Sequence, residues 1–366
     1  MSVPTSFLPS LDRPNNVHAS PVLALRISPN YIVTGSADTF VRVWLKSSGN
    51  LALPALSGNP KASFKTVEIS EQLGLVFGGD GKGNITAWRL SDGERLLVQA
   101  SHEDTVLSLT LDKSTLVSTS RDQVAKVWEL ETTDGLQSAI LQLSHTLQGH
   151  RMAVLAAKNA NNRIYTSSGD RSIRIWGKHS GNLIRKLEGV ASITWFQLRN
   201  DAAGTEQLVG ACTDGTIRIY NTETGAELAC LEGHTNVVSS VQLLKEDSAG
   251  DRTIYVASAS YDGRVRLWKL PAGDLSLGKC ATQLSFTDAV VTPLPLPVSL
   301  KANNDPVDPA RKEEIKIRDL EKKGEKFVYR VFVMQVSDGY LYCGGESAHV
   351  FAWKLHAELD DIATYM

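Results

Sequence analysis

Asp170-Arg171-Ser172-Ile173-Arg174-Ile175-Trp176 reads as a turn opening into a short strand, in which Ile173 and Ile175 alternate with polar residues and an indole closes the run. The same shape returns as Asp38-Thr39-Phe40-Val41-Arg42-Val43-Trp44, as Asp122-Gln123-Val124-Ala125-Lys126-Val127-Trp128 and as Asp262-Gly263-Arg264-Val265-Arg266-Leu267-Trp268. Beyond these four runs, Trp44, Trp88, Trp128, Trp176, Tyr220 and Trp268 follow one another every 40 to 48 residues, and Trp353 comes after a longer gap. Only Trp195 lies outside the series. A period near 40 residues marks repeated supersecondary units that must pack on one another to bury their faces.

Upstream of each run a second regularity holds. His18, Thr34, Asp38 and Trp44 keep the same spacing as His102, Ser118, Asp122 and Trp128, and as His150, Thr166, Asp170 and Trp176. His234, Ser258, Asp262 and Trp268 repeat it with a longer first gap, which coincides with the polar stretch 245–252, a hairpin loop by composition. Three repeats depart from the pattern. The second reads Ala62, Gly78, Lys82 and Trp88, the fifth keeps Asp214 but has Tyr220 for Trp, and the seventh has Cys343 and Ser347 before Trp353. Packing is expected to hold these units in place of the polar set.

The chain therefore resembles the WD40-repeat family, with Gly149-His150 and Gly233-His234 supplying that family's Gly-His element. The Trp-Asp dipeptide itself is absent. The resemblance implies an all-β fold, a single seven-bladed propeller over 1–366, with four antiparallel strands per blade. It also implies that the N-terminal segment around Thr5 to Leu11 completes the last blade and closes the ring. Between Trp268 and Trp353 the stretch 287–326 holds five prolines and a charged run from Arg311, so a flexible insertion between blades six and seven is expected rather than another blade.

With 38 Lys+Arg against 40 Asp+Glu, the formal charge of -2 gives no long-range pull toward polyanions, so no nucleic-acid partner is expected. No apolar stretch approaches the length of a membrane span, and none near Met1 to Asn16 has the core of a signal peptide, so no membrane partner is expected. Cys212, Cys230, Cys280 and Cys343 are widely spaced, which predicts free thiols in a reducing compartment, cytoplasmic or nuclear.

A His, a hydroxyl and an Asp in each unit could be mistaken for a nucleophilic triad. Their fourfold recurrence with a Trp argues for a buried hydrogen-bond chain instead, which is also its role in the family. Gly78-Gly79-Asp80-Gly81-Lys82-Gly83 lacks the Ser or Thr and the helix of a phosphate loop and reads as a hairpin turn. No metal-ligand spacing or acid–base pair stands out, so no cofactor, metal or catalytic residue is expected.

In the family the face carrying the loops between blades and between the second and third strands binds partners. On this register the candidates are Arg121 and Tyr261, just before their aspartates, and Asp104, Arg151, Met152 and Asn236, just after their histidines. Trp195 occupies a strand position where other repeats carry Ala24, Ser108, Ala156 and Ser240. Its indole is expected either to fill the volume of the absent histidine or to project into the channel mouth. The expected function is a non-catalytic scaffold mediating protein–protein interactions, a monomeric subunit of a hetero-complex. The alternative is a ubiquitin-ligase substrate receptor, with Arg121 and Arg151 gripping a phosphorylated peptide.

Overall fold

The computed structural model describes residues 6–8, 17–246, 253–286 and 328–355; the expected insertion at 287–326 lies outside them. Each period of the sequence becomes one antiparallel sheet of four strands, and among the described residues there are seven such sheets. The innermost strands are Val22–Ile27, Phe64–Ser70, Val106–Asp112, Val154–Ala160, Ile193–Asn200, Val238–Glu246 and Val331–Ser337. Six blades run in simple chain order from inner to outer strand. The seventh combines Val331–Ser337, Tyr340–Gly345 and Val350–Lys354 with Ser6–Leu8, which pairs antiparallel to the last of these through Ser6 with Ala352 and Leu8 with Val350. One blade thus contains both ends of the described chain, and the ring closes without a free edge at Val350–Lys354.

The core lies between neighbouring blades rather than inside any one of them. Val33, Val41 and Val43 of blade one pack with Phe64, Val67, Val76 and Trp88 of blade two, and Trp44 packs with Tyr342, Val350 and Ala352 across the closure. This explains the sequence pattern of the second strands. Leu75–Asp80 and Thr115–Ser120 are buried at every residue, because a blade covers each of their faces. The outermost strands face solvent, and Leu183–Glu188 buries only Leu187.

The turn between second and third strands has a common geometry. The residue after the aspartate takes a left-handed backbone in five blades, at Thr39, Gln123, Arg171, Gly215 and Gly263. All five of these aspartates compensate by accepting the backbone N–H two residues on, as Asp38 does from Phe40 at 3.0 Å and Asp170 from Ser172 at 2.9 Å. In blade two Gly83 plays this part, and a Cβ there would lie 2.1 Å from the His102 carbonyl oxygen. Only glycine fits so close an approach.

Candidate partner-binding face and central channel

The four polar sets meet as continuous chains. In blade four Trp176 Nε1–H donates to Thr166 Oγ1 at 2.9 Å, Thr166 Oγ1 lies 2.8 Å from His150 Nε2, and His150 Nδ1 lies 3.0 Å from Asp170 Oδ2. The direction follows from the chemistry, since a carboxylate only accepts: His150 Nδ1–H donates to Asp170 and the Thr166 hydroxyl donates to Nε2. His18, Thr34, Asp38 and Trp44 repeat the geometry, as do His102, Ser118, Asp122 and Trp128, and His234, Ser258, Asp262 and Trp268, all with links of 2.7 to 2.9 Å. Burial holds His18, His102 and His150 below the usual imidazole range, against the pull of their aspartates, so the neutral ring is favoured. Burial alone would raise the Asp38, Asp170 and Asp262 carboxyls. The hydrogen bonds they accept outweigh it and leave all three below their ordinary range.

The three divergent blades use other devices. In blade two Phe64 stacks edge-on against Trp88 at 5.6 Å and fills the space over Gly78, where a Cβ would meet its ring at 2.8 Å. In blade five Arg218 bridges Asp214 at 3.0 Å and Glu227 at 2.9 Å. In blade seven Phe286 stacks on Phe351 at 5.3 Å, beside the buried Trp353.

One backbone hydrogen bond recurs in all seven blades and builds the rim. The N–H of Ala37, Gly81, Arg121, Gly169, Thr213, Tyr261 and Glu346 donates to the carbonyl of Pro21, Ser63, Thr105, Ala153, Ser192, Val237 and Arg330 respectively, at 2.9 to 3.1 Å. It ties each hairpin turn to the loop entering the same blade, and so brings the two candidate loops into one surface. Arg121 is exposed there beside Asp104, whose carboxyl is lowered by the Thr105 N–H and further by the Arg121 and Lys82 charges. Arg151, Met152 and Asn236 are exposed, and Met152 lies over Gly169. Tyr261 meets the Phe332 ring edge-on at 5.5 Å, and the Arg330 guanidinium covers both rings while paired with Glu346 at 2.9 Å. Arg330 and Phe332 were not among the sequence candidates.

Inside the rim, every blade carries a β-bulge at the start of its innermost strand, between residues such as Val22 and Ala24 or Ile193 and Trp195. The extra residue is Leu23, Lys65, Leu107, Leu155, Thr194, Ser239 or Phe332, and all seven line a cavity of about 160 Å³ at the channel mouth. The signal was present: the residue five past each recurring histidine is Leu23, Leu107, Leu155 or Ser239. Strict alternation would send these side chains into the sheet core. The bulge re-aims them into the channel.

Trp195 also lines this cavity. Arg26 from blade one and Lys158 from blade four each lie 4.9 Å from its ring centre, so the indole reaches across the channel instead of filling the histidine's place in its own blade. Arg26 donates to Glu68 at 3.2 Å and to the Leu109 carbonyl at 3.3 Å. Burial, then the Arg26 charge, draw the Lys158 amine down to about 8, while Glu68 pulls the other way.

Seven radial four-stranded sheets around a plugged channel define a seven-bladed β-propeller. With its polar sets placed as above, the chain carries WD40 repeats: the model of the WD domain, G-beta repeat, matches residues 14–44, 77–129, 141–177 and 225–269. It is similar to the pre-rRNA-processing protein IPI3 of Yarrowia lipolytica, 28% identical over 215 residues that cover 54% of this chain and 50% of that protein. It is also similar to the U3 small nucleolar RNA-associated protein 21 homolog of Schizosaccharomyces pombe, 31% identical over 160 residues, 41% of this chain and 16% of that protein. The chain thus spans half or less of the length of these relatives. Among solved structures, the WD40 β-propeller domain of Doa1 superposes with a TM-score of 0.65 at 20% identity, covering 96% of this chain and 95% of that one.

Proposed function

We propose that this protein is a non-catalytic scaffold that joins other proteins into a multiprotein complex, as a monomeric subunit, and that partners seat on the channel mouth. The observation that carries this reading is the mouth itself. Leu23, Leu107, Leu155 and Phe332 sit one per blade around a cavity, with Tyr261 and Arg330 on the rim. Half-exposed aromatics next to an arginine are the residue types on which binding energy concentrates. The balanced charge supports protein rather than nucleic-acid partners. Two relatives named for pre-rRNA processing and for association with a small nucleolar RNA support work in a nuclear RNA-processing assembly. The phosphopeptide-receptor reading gains nothing specific, because Arg121 is flanked by Asp104.

Affinity purification with mass spectrometry tests the proposal, comparing the wild-type chain with a Tyr261→Ala/Phe332→Ala variant. A stable protein complex that the double substitution releases, with the melting transition of the propeller retained, is the expected result. A complex recovered equally by both chains would move the seat elsewhere.

A further inference from the structure

The channel-mouth cavity is lined by two cations, Arg26 and Lys65, by the hydroxyls of Thr66, Thr194, Ser239 and Ser240, and by no carboxylate. Glu68 lies below it and is bonded to Arg26, and Glu346 lies on the rim bonded to Arg330. Lys65 has no ion-pair or hydrogen-bond partner among the described residues. Its ammonium is partly buried, and burial, then the neighbouring Arg121 charge, lower its proton affinity, so it sits in an uncompensated positive field. Trp195 supplies a further donor, because its buried indole N–H has no acceptor among the described residues. Around these polar groups stand Leu23, Leu107, Leu155 and Phe332. A volume of about 160 Å³ takes a group of benzene size, which is one side chain and not a folded element.

We propose that the channel mouth captures an extended peptide segment of a protein partner, by inserting one acidic side chain between Lys65 and Arg26 while flanking apolar side chains rest on the leucines and Phe332. The carboxylate would complete the charge that the cavity lacks. The apolar ring excludes water from the pair and strengthens it. This inference rests on the channel mouth being the partner seat and adds the chemistry of what enters it.

Fluorescein-labelled octapeptide mixtures test it, with Glu, Gln or Lys at the centre and Leu, Ile, Phe and Met at random on either side. Binding to the full chain is read by fluorescence polarisation. The Glu-centred mixture is expected to bind at least about tenfold tighter than the Gln-centred one, the size of a single charge-assisted hydrogen bond. Lys65→Met should abolish that preference and Lys65→Glu should transfer it to the Lys-centred mixture, both with the thermal transition retained. Equal binding of the Glu and Gln mixtures, or no binding by a folded chain, overturns the inference. So does tight binding of a single-stranded oligouridine with none of the Glu mixture, which would make the mouth an RNA seat. If the purified complex survives Lys65→Glu but is lost with Tyr261→Ala/Phe332→Ala, the mouth remains the partner seat and the acidic insertion alone falls.

Discussion

Truncating His150 to alanine should destabilise the propeller by about 2–4 kcal/mol, and the structure shows where that comes from. The ring gives up one bond to an ionised partner, Asp170 Oδ2 at 3.0 Å, and one to a neutral partner, Thr166 Oγ1 at 2.8 Å. Such bonds contribute about 1.5–3 and about 0.5–1.5 kcal/mol respectively. The carboxylate is not orphaned, because Asp170 still accepts from the Arg151 N–H at 3.0 Å and from the Ser172 N–H and hydroxyl at 2.9 and 2.7 Å. The larger penalty of a stranded buried charge is therefore avoided. Thr166→Val acts on the same chain from its centre and leaves both His150 Nε2 and the Trp176 indole N–H without partners. Its cost should be similar. The double variant should fall short of the sum by more than about 0.5 kcal/mol, because both changes break the same contact. Urea unfolding followed by far-ultraviolet circular dichroism at pH 7.5 gives all three values. A His150→Ala loss below about 0.5 kcal/mol, or strict additivity with Thr166→Val, would refute the argument that the chain acts as one stabilising unit.

Stability should fall as the pH drops below 6.5: burial lowers the folded-state pKa of His18, His102 and His150, so the unfolded chain binds protons that the folded chain refuses, with a slope of up to about 4 kcal/mol per pH unit for three such groups. The contribution is complete above 6.5 and is lost toward the lower folded-state values; Asp38 and Asp170 add a second loss below 3.8, and urea midpoints from pH 8 down to about pH 2.5 check both. Deleting residues 1–12 removes the strand Ser6–Leu8 and should lower stability by about 2–4 kcal/mol, read as a lower melting temperature, with the bared edge at Val350–Lys354 promoting self-association on size exclusion. Thr39→Gly should raise stability by about 0.5–1 kcal/mol in the same urea assay, because relief of a β-branched residue in a left-handed backbone exceeds the entropy that glycine loses.

The sequence by itself determined the blade count, the register of the polar sets and the closing segment. Each of these depends on residues whose chemistry admits one environment. A histidine, a hydroxyl, an aspartate and an indole repeated at fixed spacing can all be satisfied together only if the spacing maps onto the same strands every time, so Trp176 and Trp44 disclose the same fold position without any contact being known. Pairing of Ser6 with Ala352 was legible for a related reason, since the last repeat ran out of strands at Trp353.

The channel was decided by the tertiary structure. Leu23, Leu107, Leu155 and Phe332 look like core residues because alternation is read along one strand, and the bulge that turns them into the mouth leaves no residue type of its own. Trp195 shows the same limit. Its position in the inner strand was clear, yet its neighbours Arg26 and Lys158 come from blades one and four, and only closure of the ring brings them against the indole. Local spacing fixes what a blade must satisfy within itself, whereas contacts across the axis depend on how seven blades meet, and no single repeat encodes that.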